Sequence, residues 1–123
     1  VEELLHRMER NDAILFAVPS YWGDVPAQFK ALIDRCTPYA DTNPLPGHPR
    51  PAAGKRVFAA ALRAGGRTGE CEHLLQCVEH WSGHMGAEYD GGVMLTRVDG
   101  KEDLTLEQEV SVKSAVNAWI SKK

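Results

Sequence analysis

The chain has 123 residues, 43% of them apolar and 25% charged, with a net charge of −3. That length is one small domain, and no basic stripe marks it for nucleic acid. No apolar run reaches the roughly 20 residues that cross a bilayer, and the charged first helix is not a signal peptide.

Val1, Leu4, Leu5 and Met8 recur at helical spacing, which predicts a helix over residues 1–10 ending at Asn11-Asp12. Ala13 to Val18 is an unbroken apolar run, the pattern of a parallel strand covered on both faces. Pro19 ends it. A second helix covers residues 26–36, with Phe29, Leu32, Ile33 and Cys36 on one face. Pro26 fits its first turn and Asp24 is placed to cap it.

Residues 37–54 carry five prolines, Pro38, Pro44, Pro46, Pro49 and Pro51. Loops of this length are uncommon and serve as lids or partner arms. A plain surface connection is the alternative. Arg56 to Leu62 (RVFAAAL) is a second buried strand, its alanines implying close helices. RAGGRT (Arg63 to Thr68) is a glycine loop, with Thr68 placed to cap a helix over residues 69–84. Val93 to Arg97 is the third strand, after Gly91-Gly92. A last helix runs from Leu106 to Ile120, with Leu106, Val110, Val116, Trp119 and Ile120 inward. Helices alternating with buried strands specify α/β architecture, a parallel sheet with helices on both faces.

The segment AILFAVPSYWGDVPAQFKALIDR (Ala13 to Arg35) carries the most information. A buried strand, an aromatic glycine loop and a helix in succession leave backbone N–H groups free at a strand end, where α/β sheets bind flat or anionic ligands. PSYWGDVPAQFKALIDR (Pro19 to Arg35) resembles the hallmark segment of the NAD(P)H-dependent FMN reductases. Iron–sulfur flavoproteins and multimeric flavodoxins are the nearest relatives in pattern. The order of elements agrees along the chain, and Ala64-Gly65-Gly66 falls where that family has its second flavin-facing loop.

The resemblance implies a flavodoxin-like three-layer sandwich. It implies FMN as cofactor, held by Pro19, Ser20, Tyr21, Trp22 and Gly23 on one loop and by Ala64, Gly65, Gly66 and Arg67 on the other. It further implies hydride transfer from NAD(P)H to the flavin and electron delivery to a flavin, quinone or similar acceptor. No catalytic acid or base is required, because the cofactor performs the redox step. The family often completes the flavin face with a second subunit, so a homo-oligomer is expected, with the proline-rich loop reaching across.

One departure stands beside the match. Family members open with a strand and a Ser/Thr/Asn/Arg-rich loop that binds the FMN phosphate, and these 123 residues have no counterpart of it. The fold is expected to be N-terminally incomplete, with the Ala13 strand showing an open edge. A flavodoxin-like domain without cofactor, acting as an interaction or subunit module, is therefore the alternative function.

Other groups carry less. Cys36, Cys71 and Cys77 are odd in number and lack C-x-x-C spacing, which suits reduced thiols in a cytoplasmic protein. Cys36 lies on the apolar face of its helix and reads as an inert thiol. Ser20 has no evident base in the sequence, and Asp34-Arg35 reads as an ion pair or structural link at the end of the second helix. His73, Cys77, His80 and His84 share one helical stripe. At about 1.5 Å per residue its ends stand about 16 Å apart, too far for one ion. Cys77 with His73 or His80 could hold a metal only with outside help, so no metal is expected.

Overall fold

Three parallel strands in the order β1-β2-β3 organise the computed structural model, which describes residues 1–122. The elements are α1 (Glu2–Glu9), β1 (Ala13–Pro19), α2 (Ala27–Arg35), β2 (Arg56–Leu62), α3 (Gly69–His84), β3 (Glu88–Leu95) and α4 (Leu106–Ser121). Parallel neighbours need crossover helices, and α2 and α3 are those crossovers. The expected alternation therefore stands, and β2 and α3 have the bounds their sequence patterns set. None of the helices among the described residues is long and apolar enough to cross a membrane.

The larger part of the core lies on one side of the sheet. Ile14 and Val18 of β1 join Val57, Ala59 and Ala61 of β2 there, under Leu5 and Met8 of α1, Leu32 of α2, and Leu74, Val78 and Trp81 of α3. The Phe16 ring meets Phe29 edge-on at 5.3 Å and Trp81 edge-on at 5.2 Å. Such aromatic pairs add about 0.5–1.5 kcal/mol beyond the area they bury. Ala59 and Ala61 are fully buried, and their small side chains let α3 approach the sheet.

On the other side, α4 is the one helix among the described residues. Trp119 stacks on Phe58 with centroids 5.3 Å apart. Asp90 fastens this seam: its Oδ2 accepts from Arg56 Nε at 2.9 Å and from Trp119 Nε1 at 2.8 Å. Arg56 also donates to the carbonyls of Trp119 and Lys122, both at 2.6 Å, where α4 has lost its intrahelical donors. Burial pushes the Asp90 carboxyl up, and the bonds from Arg56 and Trp119 outweigh it and hold it below its usual value.

Three sequence expectations are corrected here. Strand β3 runs from Glu88 to Leu95 rather than from Val93 to Arg97; a bulge absorbs the glycines, with Val57 paired to Tyr89 and Ala59 to Gly92. Gly91 has φ 103°, and a Cβ on Gly92 would stand 2.4 Å from the Ala59 carbonyl oxygen. Both glycines are thus demanded inside the strand. Of the expected inward face of α4, only Trp119 is buried. Val116 is half-buried, while Leu106, Val110 and Ile120 are exposed, since α4, the one described helix on that face, buries a single seam. Among the described residues strand β1 is covered on one face only, with Leu15 half exposed beside its register partner Phe58. Among the described residues β1 pairs with β2 alone and is an edge strand.

The proline-rich segment is tied down rather than loose. Thr37–Tyr39 form a 3-10 turn, and Ala52 is fully buried. The Asp41 N–H donates to the His84 carbonyl at 2.7 Å and the Gly54 N–H to the Gly86 carbonyl at 2.8 Å. Arg50 pairs with Asp41. These anchors lie at the C-terminal end of α3, the end of the sheet where the strands begin. So held, the segment does not overhang the loops that follow β1 and β2.

Candidate functional site

The loops after β1 and β2 emerge side by side because their strands pair in register through Pro19 and Leu62. The Ser20 N–H continues that ladder by donating to the Leu62 carbonyl at 2.7 Å. Tyr21 and Asp24 then exchange both backbone bonds, at 2.9 and 3.1 Å. Between them Trp22 and Gly23 have φ 55° and 80°. Two successive left-handed residues inside such a pair make a type I′ turn, whose central positions favour Asn, Asp and Gly. A tryptophan held there costs about 1–2 kcal/mol. Packing does not repay it, for the Trp22 side chain is fully exposed and Tyr21 is 61% exposed.

The second loop is flanked by guanidinium groups. Arg63 donates its N–H to the Leu95 carbonyl at 3.0 Å, and the Arg97 N–H reaches the Gly65 carbonyl at 3.0 Å. A Cβ on Gly65 would lie 2.6 Å from Arg63 Nη2, and one on Gly66 would lie 2.7 Å from Arg97 Nη2. Arg97 itself has φ 60°. Ala64, Gly66 and Arg67 are exposed, and the Arg67 carbonyl accepts from Arg63 Nη1 at 2.8 Å.

Glu70, in the first turn of α3, joins the two loops. Its Oε2 accepts from Ser20 Oγ at 2.9 Å and stands 3.2 Å from Arg63 Nε. Its side chain also lies against Gly23, 3.7 Å from where a Cβ would stand. Ser20 therefore has a carboxylate partner that its local sequence does not reveal. A direct bond from hydroxyl to carboxylate, without an intervening imidazole, acts as a tether rather than as an activated nucleophile.

Of the nine residues picked out by sequence, Pro19 is the last residue of β1 and the other eight lie on two adjacent loops at that end of the sheet. Among the described residues the N–H groups of Trp22, Gly23, Ala64, Gly65 and Gly66 meet no protein acceptor. Glu70, Arg63 and Arg97 belong with them and were not singled out for this end. The signal for Glu70 was its place in the first turn of a helix pointing at both loops. Arg97 gives no sequence signal, since its place depends on a left-handed residue after β3.

Two caps differ from expectation. Asp24 does not cap α2: Pro26 holds the N-cap position without a side-chain bond. Asp24 Oδ1 instead accepts from the Val25 N–H at 2.8 Å and faces His73 Nε2 at 3.3 Å. The Val25 amide and then His73 hold its carboxyl below the usual range. Thr68 precedes α3 as expected, but its backbone is already helical and its hydroxyl forms no cap bond. Cys36 is buried, and that burial pushes its thiol up, in keeping with an inert role.

Comparison with known proteins places this geometry. The sequence profile of the NADPH-dependent FMN reductases matches residues 1–97. The iron-sulfur flavoprotein of Methanosarcina thermophila is 35% identical over 82 residues, which are 66% of this chain and 39% of that protein. The chain therefore spans well under half the length of this relative. Among solved structures, the Trp repressor binding protein from Bacillus subtilis superposes with a TM-score of 0.72 at 21% identity, covering 99% of this chain and 76% of that one. The flavodoxin, WrbA-like protein from Agrobacterium tumefaciens superposes with a TM-score of 0.62 at 20% identity, covering 99% and 75%. The fold is flavodoxin-like, and the chain belongs to the NADPH-dependent FMN reductase family.

Proposed function

We propose that the paired loops hold the isoalloxazine ring of FMN, and that the chain serves an oxidoreductase taking hydride from NAD(P)H and passing electrons to a flavin, quinone or similar acceptor. The observation that carries this reading is Trp22, a fully exposed indole kept in a left-handed turn. A strained residue whose side chain touches nothing in its own fold is the kind found at ligand sites. The surroundings fit a planar heterocycle that carries carbonyl and ring-nitrogen acceptors. Flat aromatic surface from Tyr21 and Trp22 flanks the ring. The unpaired amides of Trp22 and Gly23 on one side and of Ala64, Gly65 and Gly66 on the other serve its polar edge.

FMN, when bound, supplies hydride acceptance and electron release. The protein's part is placement and charge. Pro19 ends β1 and fixes where the turn starts. The Ser20–Glu70–Arg63 chain keeps the two loops at a constant separation. Arg97 sets a positive charge over Gly66, and exposed Arg67 is available to a dinucleotide phosphate. A second copy of the chain completing the exposed ring face belongs to the same proposal. The free thiols of Cys36, Cys71 and Cys77 support a reducing, cytoplasmic setting.

The test is titration of the purified chain with FMN and, separately, riboflavin, followed by flavin fluorescence. Saturable quenching that is lost in Gly66→Val supports the reading. No saturable change with either flavin overturns it in favour of a cofactor-free interaction module.

A further inference from the structure

The stripe of His73, Cys77, His80 and His84 on α3 divides into two pairs. The His80 and His84 rings meet each other at 4.6 Å. His73 and Cys77 instead turn toward the loop after β1, where Asp24 stands. One candidate ligand atom from each of Asp24, His73 and Cys77 lies within 4.8 Å of the others. These residues line an open cleft of about 540 Å³ between α2 and α3, which His80 and Trp81 also line.

The separations are informative. Asp24 Oδ1 is 3.3 Å from His73 Nε2, and Cys77 Sγ is 3.7 Å from the same nitrogen. Zinc binds oxygen and imidazole nitrogen at about 2.0–2.1 Å and thiolate sulfur at about 2.3 Å. At the tetrahedral angle those bond lengths put nitrogen about 3.3 Å from oxygen and about 3.6 Å from sulfur. The two separations from His73 already match that spacing, and the Asp24 oxygen and Cys77 sulfur lie within 4.8 Å of each other.

Proton bookkeeping points the same way. Nε2 of a neutral imidazole is either a donor or an acceptor, never both. If it donates to Asp24, the Cys77 S–H has no acceptor in it. If it accepts from Cys77, it faces the Asp24 carboxylate lone pair to lone pair. A cation among the three atoms satisfies all of them at once. Oxygen, imidazole and thiolate together form a mixed donor set that suits zinc better than magnesium or calcium, which take oxygen ligands.

We propose that Asp24, His73 and Cys77 form a zinc site, with the fourth position left to water. The ion would clip the turn after β1 to the middle of α3, a second fastening beside the Ser20–Glu70 bond. The site requires no flavin and stands apart from the reading of the paired loops.

Cobalt(II), which takes zinc's geometry and is coloured, provides the test. The reduced chain, stripped with chelator, is titrated with Co²⁺ and its absorption recorded. Expected are one Co²⁺ per chain, a near-ultraviolet thiolate-to-cobalt charge-transfer band, and loss of that band on adding one equivalent of Zn²⁺. Cys77→Ser removes the band, and His73→Ala or Asp24→Ala weakens Co²⁺ binding at least tenfold, each with an unchanged circular dichroism spectrum. Absence of the band in the parent chain, or its survival in Cys77→Ser, overturns the proposal. If His73→Ala and Asp24→Ala fold normally yet bind Co²⁺ as the parent does, it is overturned as well.

Discussion

Ser20 Oγ donates to Glu70 Oε2 over 2.9 Å, although fifty positions separate the two residues. The bond crosses from the loop after β1 to the helix after β2, and Arg63 stands on the same carboxylate oxygen. One side chain therefore bridges the two loops proposed to hold the flavin. Glu70→Ala should lower unfolding free energy by only about 1 kcal/mol, because the group is partly solvated. It should weaken FMN binding about threefold to tenfold. Urea unfolding and flavin titration measure the two effects separately, and a large stability loss with unchanged affinity would refute the tether role.

Trp22 sets up an opposition between stability and binding. Its left-handed backbone costs energy that glycine does not incur, and its exposed ring contributes no packing. Trp22→Gly should hold thermal stability level or raise it by up to about 1 kcal/mol. The same change should weaken FMN about threefold to tenfold through loss of aromatic contact. A variant that melts much earlier would show that the indole supports the fold instead.

At Gly66 the expected loss is steric. A valine there drives its first side-chain carbon into the space of the Arg97 guanidinium, 2.7 Å from Nη2. Arg97 is flexible and can swing aside, so folding should change little, while flavin binding should fall below detection. Equal FMN affinity in Gly66→Val and the parent would remove this loop from the site.

Asp90 governs an acid-sensitive seam. Its folded carboxyl titrates below the ordinary value of 3.8, so the stability it supplies is fully present above that value. It is lost as pH falls through the folded titration point. Asp90→Asn should therefore destabilise the chain at neutral pH, by about 2 kcal/mol for bonds to a charged group. The gap between variant and parent should shrink on acidification below about pH 4. Thermal melts across that range give the comparison, and a gap independent of pH would assign the effect to packing.

Gly92 tests the bulge in β3. Any Cβ there meets the Ala59 carbonyl oxygen at 2.4 Å and Leu75 Cδ2 at 2.7 Å. Backbone cannot yield as a side chain tip can, so Gly92→Ala should cost about 1–3 kcal/mol by overpacking. Chemical denaturation quantifies it, and a neutral result would mean that the ladder shifts freely.

The sequence carried local information well. Apolar runs bounded by Pro19 and by Arg63 placed β1 and β2, and helical spacing bounded α3, because those patterns reflect burial on the side where most of the core lies. It failed where the deciding neighbour was distant. Gly91-Gly92 read as lying ahead of the strand because only the Ala59 carbonyl explains a glycine within it. The apolar positions of α4 read as a broad inward face because periodicity says nothing about how much sheet is present to cover them. Asp24 read as a cap by position, and its partner His73 lies on another helix. The two loops proposed to face the flavin were picked out through resemblance, whereas Glu70 and Arg97, which bond to or flank them, became visible only in three dimensions.

The anchoring of the proline-rich segment has a practical side. Leu45 projects into solvent within it, and its nearest fastenings, at His84 and Gly86, lie where the strands start. A surface tether or electrode linker attached at Leu45 would orient the molecule with Trp22 directed away from the support. Immobilised protein would then leave the two loops open to dissolved ligands without the attachment chemistry intruding.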